Sequence, residues 1–185
     1  AGEYGVPAWR RGELRAIATI CRRVPHRPAR TFHEGLRACW LVHVALNLED
    51  FEQGLSFGRL DRILQPLYDA DVAHGRLDPA RARELAASFC LKTNETLPLY
   101  SERIDRYFSG NGVAQGITLG GTDGAGRDTT CALSTLFLDA YADVRLREPA
   151  LHVRVHPDTP EPFLRRAAEV VQLGTGKPSF FGDPA

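Results

Sequence analysis

Methionine is absent from the 185 residues, and lysine nearly so: of 23 basic residues only Lys92 and Lys177 are lysine. The arginine bias reads as genome composition rather than chemistry. With no methionine there is no encoded start in view, so a fragment of a larger protein is expected. No apolar run approaches the ~20 residues needed to cross a bilayer. Residues Ala1 to Val6 lack the charged start and apolar core of a signal peptide. Charge of one sign is also missing: 23 acidic residues balance the 23 basic ones, which argues against nucleic acid or a membrane as partner. Cysteine is scarce. Cys21, Cys39, Cys90 and Cys131 show no two-residue pairing, so no zinc or iron–sulfur site is written here. All four sit among apolar helical positions and are expected as buried free thiols, which fits a reducing, cytoplasmic setting.

What is present is ordinary globular material, 43% hydrophobic and 25% charged, enough for a domain that buries about 70% of its unfolded surface. Arginines crowd the first part of the chain (Arg10, Arg11, Arg15, Arg22, Arg23, Arg27, Arg30, Arg37). No aromatic residues interleave them in a binding pattern, so a solvated helix face is favoured over a phosphate-binding patch.

The periodicity predicts helices over 1–112 and strand/helix alternation over 113–185. Trp9 to Val24 places Leu14, Ile17, Ala18 and Cys21 on one face and ends at Pro25 and Pro28. A second helix starts at Thr31, with Glu34 completing a capping-box pattern. Its apolar residues (Leu36, Trp40, Leu41, Val44, Leu48) run almost all round, which predicts thorough burial. After a turn over Gln53 to Gly58, a helix from Arg59 to Ala73 should kink near Pro66 and close at Gly75. Asp78-Pro79 caps the next, to about Thr93. Leu97 to Gly112 reads as a short helix and a loop. Strands are predicted at Ile117–Leu119, Leu151–Val155 and Pro178–Phe181. The helices between them are Thr129–Val144, capped by Asp128, and one capped by Thr159-Pro160 that ends at Gly174.

Three constellations invite chemistry. The turn Gly120 to Gly126 lacks the dinucleotide glycine spacing, and Leu173 to Pro178 lacks both the first glycine and the hydroxyl residue of a nucleotide loop; both read as tight connections. His152, Arg154 and His156 share one strand face. Four strand residues span about 13 Å, too far for one ion to hold both histidines without other ligands. The trio either lines a polar cavity, with Leu151, Val153 and Val155 facing helices, or sits at a surface. Ser56, in Gly54 to Gly58, lacks a nucleophile elbow and reads as a hydrogen-bonding group at a helix start.

Several ordered blocks resemble the glycyl radical enzymes, the pyruvate formate-lyase-like family. They are Arg30 to Arg37 with Trp40 and His43; Ser56 to Asp61 with Pro66 to Tyr68 and Asp71; Leu91 to Glu95; Phe108 to Gly110; Ile117 to Gly121; Pro149 to His156; Thr159-Pro160; and Gly174 to Asp183. Leu91 to Glu95 and Gly174 to Phe181 favour the dehydratase and lyase branch. Cys131-Ala132 and Ala150 depart from the Asn-Glu and Asn common there, which leaves the substrate open.

The resemblance implies a fold: an α/β barrel of ten strands in two parallel halves, of which this chain is a helix-rich segment with about three short strands in a single domain over 1–185. It implies a reaction in which a glycyl radical, installed by a radical S-adenosylmethionine activase, generates a thiyl radical that takes hydrogen from a small-molecule substrate before elimination or C–C cleavage. By resemblance both radical residues lie outside this chain, which alone would be inactive. Ser56 corresponds to a substrate-contacting serine. Ala114, beside Gln115, stands near an aromatic position that packs on substrate. These three are the candidate substrate-binding residues, with no metal site; a full-length homodimer and anaerobic life complete the expectation. Two alternatives stay open: an inactive truncated binding or structural module, and an unrelated metal-dependent barrel hydrolase using His152, His156 and Asp158. Open sheet edges predict poor stability for the isolated chain.

Overall fold

The computed structural model describes residues 5–49, 54–96, 101–108 and 115–183. Five helices come first: α1 (Ala8–Cys21), α2 (Phe32–Glu49), α3 (Leu60–Ala73), α4 (Pro79–Asn94) and α5 (Glu102–Phe108). Then β1 (Gly116–Gly120), α6 (Ala132–Val144), β2 (Ala150–Val155), α7 (Glu161–Val171) and β3 (Ser179–Gly182) form two successive βαβ units. The strands make one parallel sheet in the order β1-β2-β3. A fourth extended piece joins it: Gly58 bridges Ile117 in parallel, the Phe57 amide donates to the Gly116 carbonyl at 2.8 Å, and the Thr118 amide donates to the Gly58 carbonyl at 2.9 Å. The helix-rich α/β segment with three short strands expected from the sequence is the one observed.

The core lies between the sheet and its helices. Ile117, Leu119, Leu151 and Val153 are fully buried against α6, α3 and α7. The α6 helix is the central post, packing on α4, α3 and α7, with Leu133, Phe137, Leu138 and Tyr141 all at 0% exposure. Gly35 lets α2 and α3 approach closely: a Cβ there would meet Leu64 Cδ2 at 2.7 Å and Leu67 Cδ1 at 2.9 Å.

Buried carboxylates pin the elements together. Asp71 Oδ2 accepts from the Phe32 amide at 2.8 Å and fixes the start of α2 on α3. Asp61, 0% exposed, accepts from the Gly120 amide (2.7 Å), the Ser134 hydroxyl (2.6 Å) and the Arg62 amide (2.7 Å). One side chain thus ties α3, the end of β1 and the start of α6. Burial pushes its carboxyl above the usual range against the pull of these donors. Arg59 completes the clamp, donating to the Thr122 and Gly120 carbonyls at 2.8 and 2.5 Å and to the Thr129 hydroxyl.

Several sequence expectations need correction. The apolar face of α1 is uncovered; the helix has no buried residue, and Leu14, Ala18 and Cys21 are exposed. In α2 the buried residues are Phe32, Glu34, Gly35, Leu36 and His43, while Val42, Leu46 and Leu48 are 44%, 48% and 82% exposed. Among the described residues α1 has only a limited contact with α2, which leaves Ile17 half-buried. Buried thiols are found only at Cys90; Cys39 and Cys131 are half-buried and Cys21 is exposed. Helix α6 starts at Ala132 rather than Thr129. Asp128 does not cap it, because its carboxylate is held by Thr130 and His156, while the Thr129 amide pairs with the Gly121 carbonyl. Helix α3 contains Pro66 within one element, Leu60–Ala73, close to the expected bounds. Residues 53, 97–100 and 109–112 lie outside the described residues; between them the expected short helix is α5.

The Asp61 clamp gives a first prediction. Asp61→Ala strands the buried Gly120 amide and Ser134 hydroxyl, and should lower unfolding free energy by about 3 kcal/mol in urea titrations. A loss below about 1 kcal/mol would show that the clamp is dispensable.

Candidate substrate-facing wall

Side chains alternate along a strand, so the residues opposite the core-facing set share the other face of the sheet. The register arranges them in rows: Gly116 beside Ala150; Thr118 beside His152 beside Ser179; Gly120 beside Arg154 beside Phe181. Parallel sheets are normally covered on both faces by apolar layers. Here one face meets helices and the other carries a hydroxyl, an imidazole and a guanidinium that are only partly buried.

Ser56 extends this face, because Phe57, next to it, turns the other way to stack on His43 at 4.2 Å and meet Phe89 edge-on at 4.9 Å. The Ser56 hydroxyl is exposed and accepts from the Gly116 amide at 3.3 Å. Gly116 is the floor of the cluster: a Cβ there would lie 2.9 Å from both Ser56 Oγ and His152 Cε1. The missing side chain is what lets hydroxyl and imidazole converge. His152 also meets Phe181 edge-on, 5.2 Å between centroids. Burial, then the Lys177 charge, lower its pKa, so the ring is neutral at pH 7.

Arg154 is held along the face by Asp183, whose Oδ1 accepts from Arg154 Nε at 2.5 Å. Asp183 Oδ2 accepts from the Thr122 amide and hydroxyl at 2.7 and 3.0 Å. Burial tends to raise the Asp183 carboxyl, but Thr122 and Arg154 outweigh it and hold it below the usual carboxylate range.

Of the sequence-predicted substrate residues, Ser56 lies on this face and Ala114 lies outside the described residues. Gln115 is fully buried. Its amide N–H donates to Glu148 at 3.1 Å, its side-chain nitrogen donates to the Thr93 carbonyl at 3.1 Å, and its side-chain oxygen meets His43 Nε2. It anchors the start of β1 from the helical side.

His152 and His156 are not brought together. His156 Nε2 bonds Asp128 at 3.0 Å, and its Nδ1 accepts from the Asp158 amide at 3.3 Å. Among the described residues no group of three His, Cys, Asp or Glu side chains could hold a metal ion. None of the four cysteines is on this polar face of the sheet. Cys90 sits within α4 with its thiol pushed up to about 12 by burial, Cys21 and Cys39 are on α1 and α2, and Cys131 precedes α6. A cleft of about 620 Å³ between α1, α2 and α4 belongs to the outer helical layer, where Arg10–Glu13, Arg81–Glu84 and Lys92–Glu95 form ion pairs beside Arg37.

Sequence reasoning missed the Arg59–Asp61 clamp and the Arg154–Asp183 pair. Their only sequence signal was membership of the resembling blocks Ser56 to Asp61 and Gly174 to Asp183.

The pattern of the pyruvate formate lyase-like family matches residues 8–185. The chain belongs to this family. It is 35% identical over 176 residues to the isethionate sulfite-lyase of Nitratidesulfovibrio vulgaris, covering 94% of this chain and 21% of that protein. A glycyl radical enzyme from Archaeoglobus fulgidus superposes with a TM-score of 0.89 at 39% identity, over 96% of this chain and 23% of that one. The glycerol-bound B12-independent glycerol dehydratase from Clostridium butyricum superposes with a TM-score of 0.89 at 32% identity, over 95% and 22%. This pyruvate formate lyase-like chain therefore spans about a fifth of the length of such relatives, which are glycyl radical lyases and dehydratases, and its fold is a segment of the glycyl radical enzyme α/β barrel.

Two predictions follow from the face. Gly116→Ala drives a methyl into both Ser56 and His152 and should cost about 1–3 kcal/mol of stability by urea unfolding; an unchanged midpoint would mean that the cluster is loose. A carboxylate held below its unfolded value stabilises the fold above that value, and the contribution disappears as pH falls through the lowered one. Stability should therefore drop below about pH 4, and less steeply in Asp183→Asn. Parallel acid titrations of the two proteins would refute this.

Proposed function

We propose that this chain forms part of the barrel wall and substrate pocket of a glycyl radical lyase or dehydratase, within a single pyruvate formate-lyase-like domain. The observation that carries it is the continuous polar inner face from Ser56 through Thr118 and His152 to Arg154, in a chain of this family. The glycyl radical, installed by a radical S-adenosylmethionine activase, supplies hydrogen abstraction through a cysteine that is none of the four here. The residues of this chain do the rest: the helix-backed sheet excludes water, as radical chemistry requires, and the inner face shapes the pocket. Ser56 offers its hydroxyl to substrate, Ala114 leaves room beside it, and Gln115 holds β1 in place. The whole protein acts on a small molecule as a cytoplasmic homodimer in anaerobic cells.

Relatives are named for isethionate, glycerol and trans-4-hydroxy-L-proline. Each compound carries a hydroxyl group, and a hydroxyl-bearing small molecule is the substrate class favoured here.

The deciding experiment is electron paramagnetic resonance of the anaerobically purified whole protein after treatment with its activase. A glycyl radical doublet and turnover of a hydroxyl-bearing compound are expected. A protein without a radical, or with stoichiometric zinc, would contradict the reading and favour the inactive module or the hydrolase. In the active enzyme, Ser56→Ala should raise KM about fivefold for the loss of one hydrogen bond, and Ala114→Phe should weaken bulky substrates selectively. Unaltered kinetics in both would remove these residues from the pocket.

A further inference from the structure

We propose that His152 is a specificity-determining residue of the pocket, which hydrogen-bonds through its imidazole to a hydroxyl group of the substrate. The inference rests on the inner face being the pocket wall, as argued above. His152 occupies the middle strand, flanked in its row by Thr118 and Ser179. The bare Gly116 gives its ring room to close on the Ser56 hydroxyl, and the edge-on contact with Phe181 at 77° fixes the ring plane.

The other histidines in contact with the sheet are spoken for. His43 meets Gln115, and His156 uses both ring nitrogens, on Asp128 and on the Asp158 amide. Neither ring nitrogen of His152 has a hydrogen-bond partner among the described residues. Neither nitrogen is among the buried side-chain atoms left without a partner, so both remain reachable from the open face by a solvent or substrate partner.

The chemistry of that partner follows from the charge state. Burial and the Lys177 charge favour the neutral ring, in which one nitrogen donates and the other accepts. A hydroxyl group likewise donates and accepts, and the Ser56 hydroxyl beside the ring has the same dual character. A sulfonate or carboxylate accepts only and is best met by a cation. His152 and Ser56 therefore address the alcohol end of a substrate, and any anionic end is held elsewhere.

The test is a crystal structure of the whole protein, without activation, soaked in glycerol as the probe. A glycerol oxygen within about 3.2 Å of a His152 ring nitrogen, lost from that position in His152→Phe with the backbone unmoved, is expected. Both nitrogens bonded to protein groups, or a closed cavity in which glycerol is absent or sits away from His152, would overturn the proposal and leave the pocket-wall reading intact. An inner face that encloses no cavity would overturn that reading first, and the proposal with it.

Discussion

A parallel sheet has two faces to cover, and among the described residues helices cover only one of them. The buried row Ile117, Leu119, Leu151 and Val153 accounts for the helical layer: α6 and α7 return each strand to the same side, and α3 and α4 close over them. The opposite row, Thr118, His152 and Arg154, is polar and partly open. A free-standing domain would place apolar residues there and cover them. The glycyl radical enzyme barrel resolves this, because in a barrel the second face of each strand looks into an enclosed space. The uncovered apolar residues agree: Leu14 on α1, Val42, Leu46 and Leu48 on α2, and Phe180 and Phe181 on the outermost strand are exposed.

The interactions that make the wall rigid lie at the strand ends. Asp61 and Arg59 bind the last residues of β1 and the turn after it, while Asp183 closes β3 onto Thr122 and Arg154. Buried charges of this kind add little net stability over an apolar pair; their effect here is to tie the ends of β1 and β3 to the turn after β1 and to α3. Gly116 acts by leaving space rather than filling it.

Much of the fold was legible in the sequence. The three strands and most helices fall within a few residues of where their periodicity, prolines and glycines put them. The failures share a cause. Asp128 was read as a cap because local chemistry favours it there, but a partner 28 residues away, His156, holds its carboxylate. Helix α2 was read as well buried because it is apolar almost all round, yet burial is decided by what packs against it, and Leu48 is left 82% exposed. At the site, Ser56 and the polar strand face were visible through alternation and family resemblance. Gln115 turned behind the sheet, because its place just before β1 puts its carboxamide between His43 and Thr93. No periodicity could reveal that Gly116 would bring Ser56 and His152, 96 positions apart in the chain, over one point.

The central claim is that this sheet continues into strands outside these residues. It is tested most directly by amide hydrogen exchange, comparing the isolated 185-residue chain with the whole protein. The account predicts that the edge amides of β3, Ser179 to Gly182, exchange slowly in the whole protein and rapidly in the isolated chain. Equal exchange in the two, fast or slow, would contradict it.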